Sequence, residues 1–149
     1  MEQRGEPLPL RSTGALTGRK AARTEELMQP TNVVLLQSDP NIAQTLATSL
    51  SNSFHRVHVA QSLDDLRHAA VRHRPFAIIV DLETATLGDV ESLKQEFRDT
   101  RIVCNHRVAD EEMWTLSLNV GADDCCPSSD MRAILFATVR ETTARSMAA

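Results

Sequence analysis

From Asn32 onward, short apolar runs alternate with stretches in which apolar residues recur every three or four positions. Runs of the first kind read as strands, and stretches of the second kind as amphipathic helices. Val33-Val34-Leu35-Leu36 opens the series as a buried strand. Asp39-Pro40 follows, with Asp at a helix N-cap and Pro in the first turn, where its missing N–H costs little. Ile42, Leu46 and Leu50 then recur on one helical face. Arg56-Val57-His58-Val59-Ala60 alternates, as a half-covered edge strand does. Ser62 caps a second helix that carries Leu63, Leu66, Ala70 and Val71 inward. Asp64 and Asp65 in its first turn and Arg72, His73 and Arg74 at its end match the helix dipole, so the basic cluster reads as terminal stabilisation.

The pattern centres on Ala77-Ile78-Ile79-Val80-Asp81. A β-branched run without polar alternation is a strand covered on both faces, the habit of a parallel sheet between helical layers. Ligands and chemistry gather at the carboxyl ends of such strands. Asp81 stands at that end; a solvated Asp that merely stops the strand is the alternative reading. A helix over Leu87–Phe97 and a strand over Arg101–Asn105 follow. Asp110 caps a fourth helix, Glu111–Asn119, which Gly121 terminates. Cys125-Cys126 lies on a short fifth strand, and Ser128 or Ser129 caps a last helix bearing Met131, Ile134, Leu135 and Val139. Five strands alternating with five helices imply a parallel sheet with right-handed crossovers.

The fourth helix carries two apolar stripes. Trp114 and Leu118 share one face, while Met113, Leu116 and Val120 lie on nearly the opposite one. Only one stripe can face the sheet, so the other is expected at the surface unless neighbouring loops cover it. A contiguous exposed apolar stripe containing Met suits a partner surface.

Composition sets the bounds. The 149 residues, 42% hydrophobic and 24% charged, fit one globular domain with room for a tail. Residues 1–30 mix Arg4, Arg11, Arg19, Lys20 and Arg23 with Glu2, Glu6, Glu25 and Glu26 and hold few large apolar groups, which predicts a disordered N-terminal tail. The domain is expected over 31–145, followed by a short tail at 146–149. Met28 stands just before the first strand, and translation from it would leave residues 1–27 outside the natural protein. A net charge of -4 provides no basic field for nucleic acid, and no run approaches the roughly 20 apolar residues of a membrane span. Three cysteines in no disulfide-framework spacing, without a secretory signal core, point to the cytoplasm. No Gly-rich phosphate loop, serine elbow or paired-histidine motif is present, so no enzymatic turnover is expected.

In this order and spacing, four features resemble the receiver domain of two-component response regulators, over about residues 32–143. They are the strand-to-Asp81 junction, Asp39-Pro40-Asn41-Ile42, Asp110-Glu111-Glu112 and Gly121-Ala122-Asp123-Asp124. The resemblance implies a flavodoxin-like, doubly wound five-stranded parallel sheet of order 2-1-3-4-5 with five helices. It also makes Asp81 the counterpart of the phosphoacceptor aspartate that receives a phosphoryl group from a histidine kinase.

The rest of the family's pocket departs from the pattern. Gln37 and Ser38 stand where receivers place two acidic Mg²⁺ ligands, and Asp39 lies one residue beyond. His106 replaces the Thr or Ser that ends the fourth strand. Ser128 and Ser129 replace the Lys that follows the fifth, with Pro127 displaced. Cys125 takes the place of the switch aromatic, and the chain has no Tyr. Mg²⁺ favours an octahedral oxygen site anchored by carboxylates, and phosphoryl transfer depends on cations that neutralise developing charge. Mg²⁺ binding is therefore expected to be weak or absent, and no other cofactor is expected.

The resulting expectation is an atypical single-domain receiver acting as a signalling interaction module. Its partner surface would comprise Met113, Leu116 and Val120 of the fourth helix, Cys125 of the fifth strand, and the last helix, serving a homodimer or another signalling protein. One alternative is a phosphorylatable receiver using Asp81 in a phosphorelay. The other is a redox or metal sensor using Cys104, His106 and Cys125, since thiolate, imidazole and carboxylate form a Zn²⁺ set. Adjacent strand residues point to opposite faces, so Cys125 and Cys126 cannot both join it without distortion.

Overall fold

The computed structural model describes residues 32–140; the expected tails, 1–30 and 146–149, lie outside them. Strand and helix alternate throughout as β1 (Asn32–Leu36), α1 (Pro40–Leu50), β2 (Arg56–Ala60), α2 (Leu63–His73), β3 (Ala77–Asp81), α3 (Leu87–Glu96), β4 (Arg101–His106), α4 (Glu111–Asn119), β5 (Asp124–Pro127) and α5 (Met131–Val139). All strand pairs are parallel, in the order β2-β1-β3-β4-β5. This is the flavodoxin-like 2-1-3-4-5 sheet.

The period-2 alternation of each strand divides the core into two layers. Leu35, Ile79 and Val103 meet Leu46, Leu50 and Ile134 from α1 and α5 on one face. Val34, Ile78, Val80 and Ile102 meet Leu66, Val90 and Leu93 from α2 and α3 on the other. β3 is buried at all five residues because helices cover both of its faces. The same order puts the carboxyl ends of β1, β3, β4 and β5 side by side.

Local chemistry fixes where the helices begin. The Asp39 carboxylate accepts from the Asn41 and Ile42 N–H groups at 2.8 and 3.3 Å. Ser62 accepts from Asp65 N–H at 3.1 Å. Thr86 and Asp89 form a reciprocal capping box on α3. At α5 the cap differs from expectation: Asp130, not Ser128 or Ser129, accepts from Ala133 N–H at 3.0 Å. The Ser128 hydroxyl is turned into the sheet end instead.

Three helix faces also differ from the sequence pattern. Val71 is 58% exposed rather than inward. It lies five residues past Leu66, about 140° around the helix, and Ala69 takes the inward place. Val139 is likewise exposed, while Ala137 and Thr138 turn inward with Ile134. On α4 the sheet-facing row is Met113, Ser117 and Val120, spaced i, i+4, i+7, with Ser117 fully buried. Its hydroxyl donates to the Met113 carbonyl at 2.7 Å, so a polar residue serves at the centre of an inward face. Met113 and Val120 are therefore core-packed, and the exposed large apolar residues of α4 are Leu116 and Trp114. Cys125 is buried beneath this helix and is not an outward member of the expected interaction face.

Gly121 ends α4 at φ 111°, and a Cβ there would lie 2.7 Å from Lys94 Cγ. Lys94 is held in turn by the Thr100 carbonyl at 3.1 Å and by Asp123 at 3.7 Å. The turn is thereby latched to the end of α3. Among the described residues, no helix is long and apolar enough to cross a membrane.

Candidate functional site

The carboxyl end of β3 delivers Asp81 to the sheet edge, where two loops close over it. Its carboxylate is 1% exposed. Oδ2 accepts from Ser38 N–H at 3.0 Å, from the Ser38 hydroxyl through a short contact, and from the Thr84 hydroxyl at 3.4 Å. Oδ1 accepts from Glu83 N–H at 3.0 Å. Both oxygens are thus occupied by donors of the loops after β1 and β3. A buried carboxylate held this way gains charge-assisted hydrogen bonds that replace its lost hydration.

A second, neutral network lies beside it. Asn105, the register partner of Asp81 on β4, is fully buried. Its Oδ1 accepts from Gln37 Nε2 and from the Ser128 hydroxyl, each at 2.8 Å, and its Nδ2 donates to the Val80 carbonyl at 3.4 Å. One amide therefore ties the ends of β1, β4 and β5 together across β3. Nothing in the hydropathy pattern singles out Asn105; the only available signal is an amide at the end of an otherwise apolar strand.

The remaining expected pocket residues are engaged elsewhere. Asp39 caps α1. The His106 Nδ1 is tied to the backbone of Val108 at 3.0 and 3.2 Å. Glu83 pairs with Arg107 at 3.1 Å at the mouth. The cleft of about 390 Å³ outside is lined by Gln37, Ser38, Asp39, Glu83, Arg107 and Ser128 among others, but not by Asp81.

This donor set does not fit Mg²⁺. One carboxylate is available, and both of its oxygens already accept hydrogen bonds from the chain. Gln37 spends its amide nitrogen on Asn105, and its Oε1 accepts from Asp39 N–H at 3.3 Å. A hard octahedral cation would have to displace these bonds while gaining only one negative charge.

The sulfur chemistry is similarly closed. Cys104 and Cys125 are register partners in one core layer, while Cys126 faces the other. All three are buried free thiols. Burial pushes all three thiols up, Cys126 to about 12 and Cys104 further still. Neutral buried thiols are poor nucleophiles and poor ligands. Among the described residues, no three His, Cys, Asp or Glu side chains gather where they could hold a metal.

A different surface lies around α4. His106, Val108, Asp110, Glu112, Met113 and Leu116 line a groove of about 300 Å³. Val108 is 61%, Trp114 45% and Leu116 40% exposed. The Trp114 indole donates to Asp124 Oδ1 at 3.1 Å, fixing the ring against the start of β5.

Neither a protein-family model nor a curated protein matches the chain. Solved structures do. A response regulator from Thermotoga maritima superposes with a TM-score of 0.64 at 17% identity, over 71% of this chain and 92% of that one. A response regulator from Burkholderia pseudomallei with a phosphorylated aspartic acid, calcium ion and citrate gives 0.66 at 22% identity, over 79% and 71%. The BeF3-activated N-terminal receiver domain of Klebsiella pneumoniae RstA gives 0.64 at 21%, over 74% and 96%. The described domain has the fold of response-regulator receiver domains.

Proposed function

We propose that this protein is a signalling module of the receiver type that acts by presenting a surface to a protein partner, without Mg²⁺-dependent phosphorylation of Asp81. The observation that carries this reading is the state of the Asp81 carboxylate, enclosed and bonded at both oxygens by Ser38, Thr84 and Glu83. In-line attack on a phosphoryl donor needs an exposed oxygen and nearby cations. The neutral Gln37–Asn105–Ser128 network supplies neither. Asp81 then serves as a clamp between two loops, and the output lies on the side of the domain formed by α4, β5 and α5. The partner there is another signalling protein or a second copy of the chain.

The test is incubation with acetyl phosphate and Mg²⁺ followed by intact-mass measurement, with a parallel titration of beryllofluoride against thermal stability. The expected result is no phosphoryl adduct and no Asp81-dependent shift. An adduct that disappears in Asp81→Asn would establish a working phosphoacceptor and overturn the proposal.

A further inference from the structure

We infer that the groove between Val108 and α4 takes a basic amphipathic segment of a partner protein, an aliphatic side chain seated among Val108, Met113 and Leu116 with Lys or Arg beside it. This deepens the reading above, because it names the chemistry of a partner on that same face.

The first argument is apolar. Val108 and Leu116, two of the six exposed large apolar residues among those described, line the groove together with half-buried Met113. Clustered exposure of that kind marks an interaction surface, whereas single exposed apolar residues are ordinary. The groove's volume of about 300 Å³ suits a few side chains rather than a folded domain.

The second argument is charge. Asp110 and Glu112 line the groove, and Glu111 stands beside them in the first turn of α4. No Lys or Arg lines it. The neighbouring Arg107 is held by Glu83. The positive end of α4 offsets about half a charge, against the three carboxylates of Asp110, Glu111 and Glu112. The surplus is negative, so a basic segment is steered in and an acidic one is repelled.

The test follows the fluorescence anisotropy of dye-labelled peptides. The full chain is titrated into a synthetic peptide of Leu and Lys at helical spacing, and in parallel into its Leu and Glu counterpart. The expected result is a saturable rise in anisotropy with the Leu/Lys peptide only. It should weaken in high salt and lose about tenfold in affinity in Glu112→Lys, an exposed position whose replacement leaves the core untouched. Leu116→Ser should weaken it as well. No saturable response, or an equal response in Glu112→Lys, would overturn the inference. So would concentration-dependent self-association that Leu116→Ser abolishes, since that would assign the groove to a second copy. The phosphoryl-adduct measurement fails or succeeds independently, because this titration contains no Mg²⁺ or phosphoryl donor.

Discussion

At the scale of single residues, the central fact is that Asp81 works as an acceptor of hydrogen bonds. The nearby carboxylates of Asp39 and Glu83 are turned to the α1 cap and to Arg107. In Asp81→Asn one carboxylate oxygen becomes an NH₂ facing an N–H donor. We expect a loss of about 2–3 kcal/mol in urea unfolding, the cost of a buried unmatched donor plus a lost charge-assisted bond. The thiols give a second prediction. Each has a folded pKa raised above its unfolded value, so its contribution is complete below about pH 8.5 and is lost as pH climbs toward the folded pKa. Over that window the native state holds more protons than the unfolded chain. Stability should therefore fall with rising pH, by up to about 1.4 kcal/mol per unit per thiol. Cys126→Ala should flatten the decline, and a thiol reagent should react slowly with the native protein at neutral pH.

At the scale of elements, two positive-φ residues end helices in opposite ways. Gly121 follows α4 where both backbone and space require glycine. Gly121→Ala would be strained at φ 111° and would press on a Lys94 side chain already anchored by Thr100 and Asp123. The expected cost is about 2–3 kcal/mol, measurable by thermal melting. Arg74 closes α2 at φ 46°, directly before Pro75, with neither a glycine's freedom nor the extended backbone that a following proline favours. Arg74→Gly should be neutral or stabilise by up to about 1 kcal/mol, because relief of the left-handed strain outweighs the added freedom of the unfolded chain. The elements themselves were legible in the sequence. Alternating periods and capping residues gave every strand and helix, since burial of apolar faces is what decides them. The α4 face was not legible. Ser117 satisfies its hydroxyl within its own helix, and that bond lets a polar residue sit between Met113 and Val120 in an inward row, although hydropathy had grouped those two with the exposed Leu116.

At the scale of the whole molecule, the sheet order determines which strand ends meet; alternation of strands and helices implied a parallel sheet, and its order came only from the resemblance to receiver domains. What the sequence did not carry was the partnership among the meeting side chains. Gln37, Ser38 and Ser128 were visible only as departures from a charged pocket; their bonds to Asn105 and Asp81 depend on strand register, which no local pattern encodes. On the reading proposed above, the neutral side chains of Gln37, Asn105 and Ser128 stand beside Asp81 in place of a charged, metal-binding set. That exchange can be reversed experimentally. Gln37→Asp with Ser38→Asp would remove one side-chain donor from each of Asn105 and Asp81 and set two further carboxylates beside Asp81. Without metal, like charges and lost bonds should destabilise the variant by about 3 kcal/mol. With Mg²⁺, three carboxylates make an oxygen site of the kind that cation accepts, and bound metal returns about 2.7 kcal/mol once its concentration is a hundred times the dissociation constant. The double variant should therefore melt lower than the wild type in chelator and recover most of the difference in Mg²⁺. The wild type should melt at the same temperature in both. A Mg²⁺-dependent rise in the wild type would mean that Gln37 and Ser38 yield their bonds to the cation, and the neutral end would then be a resting state of a working pocket.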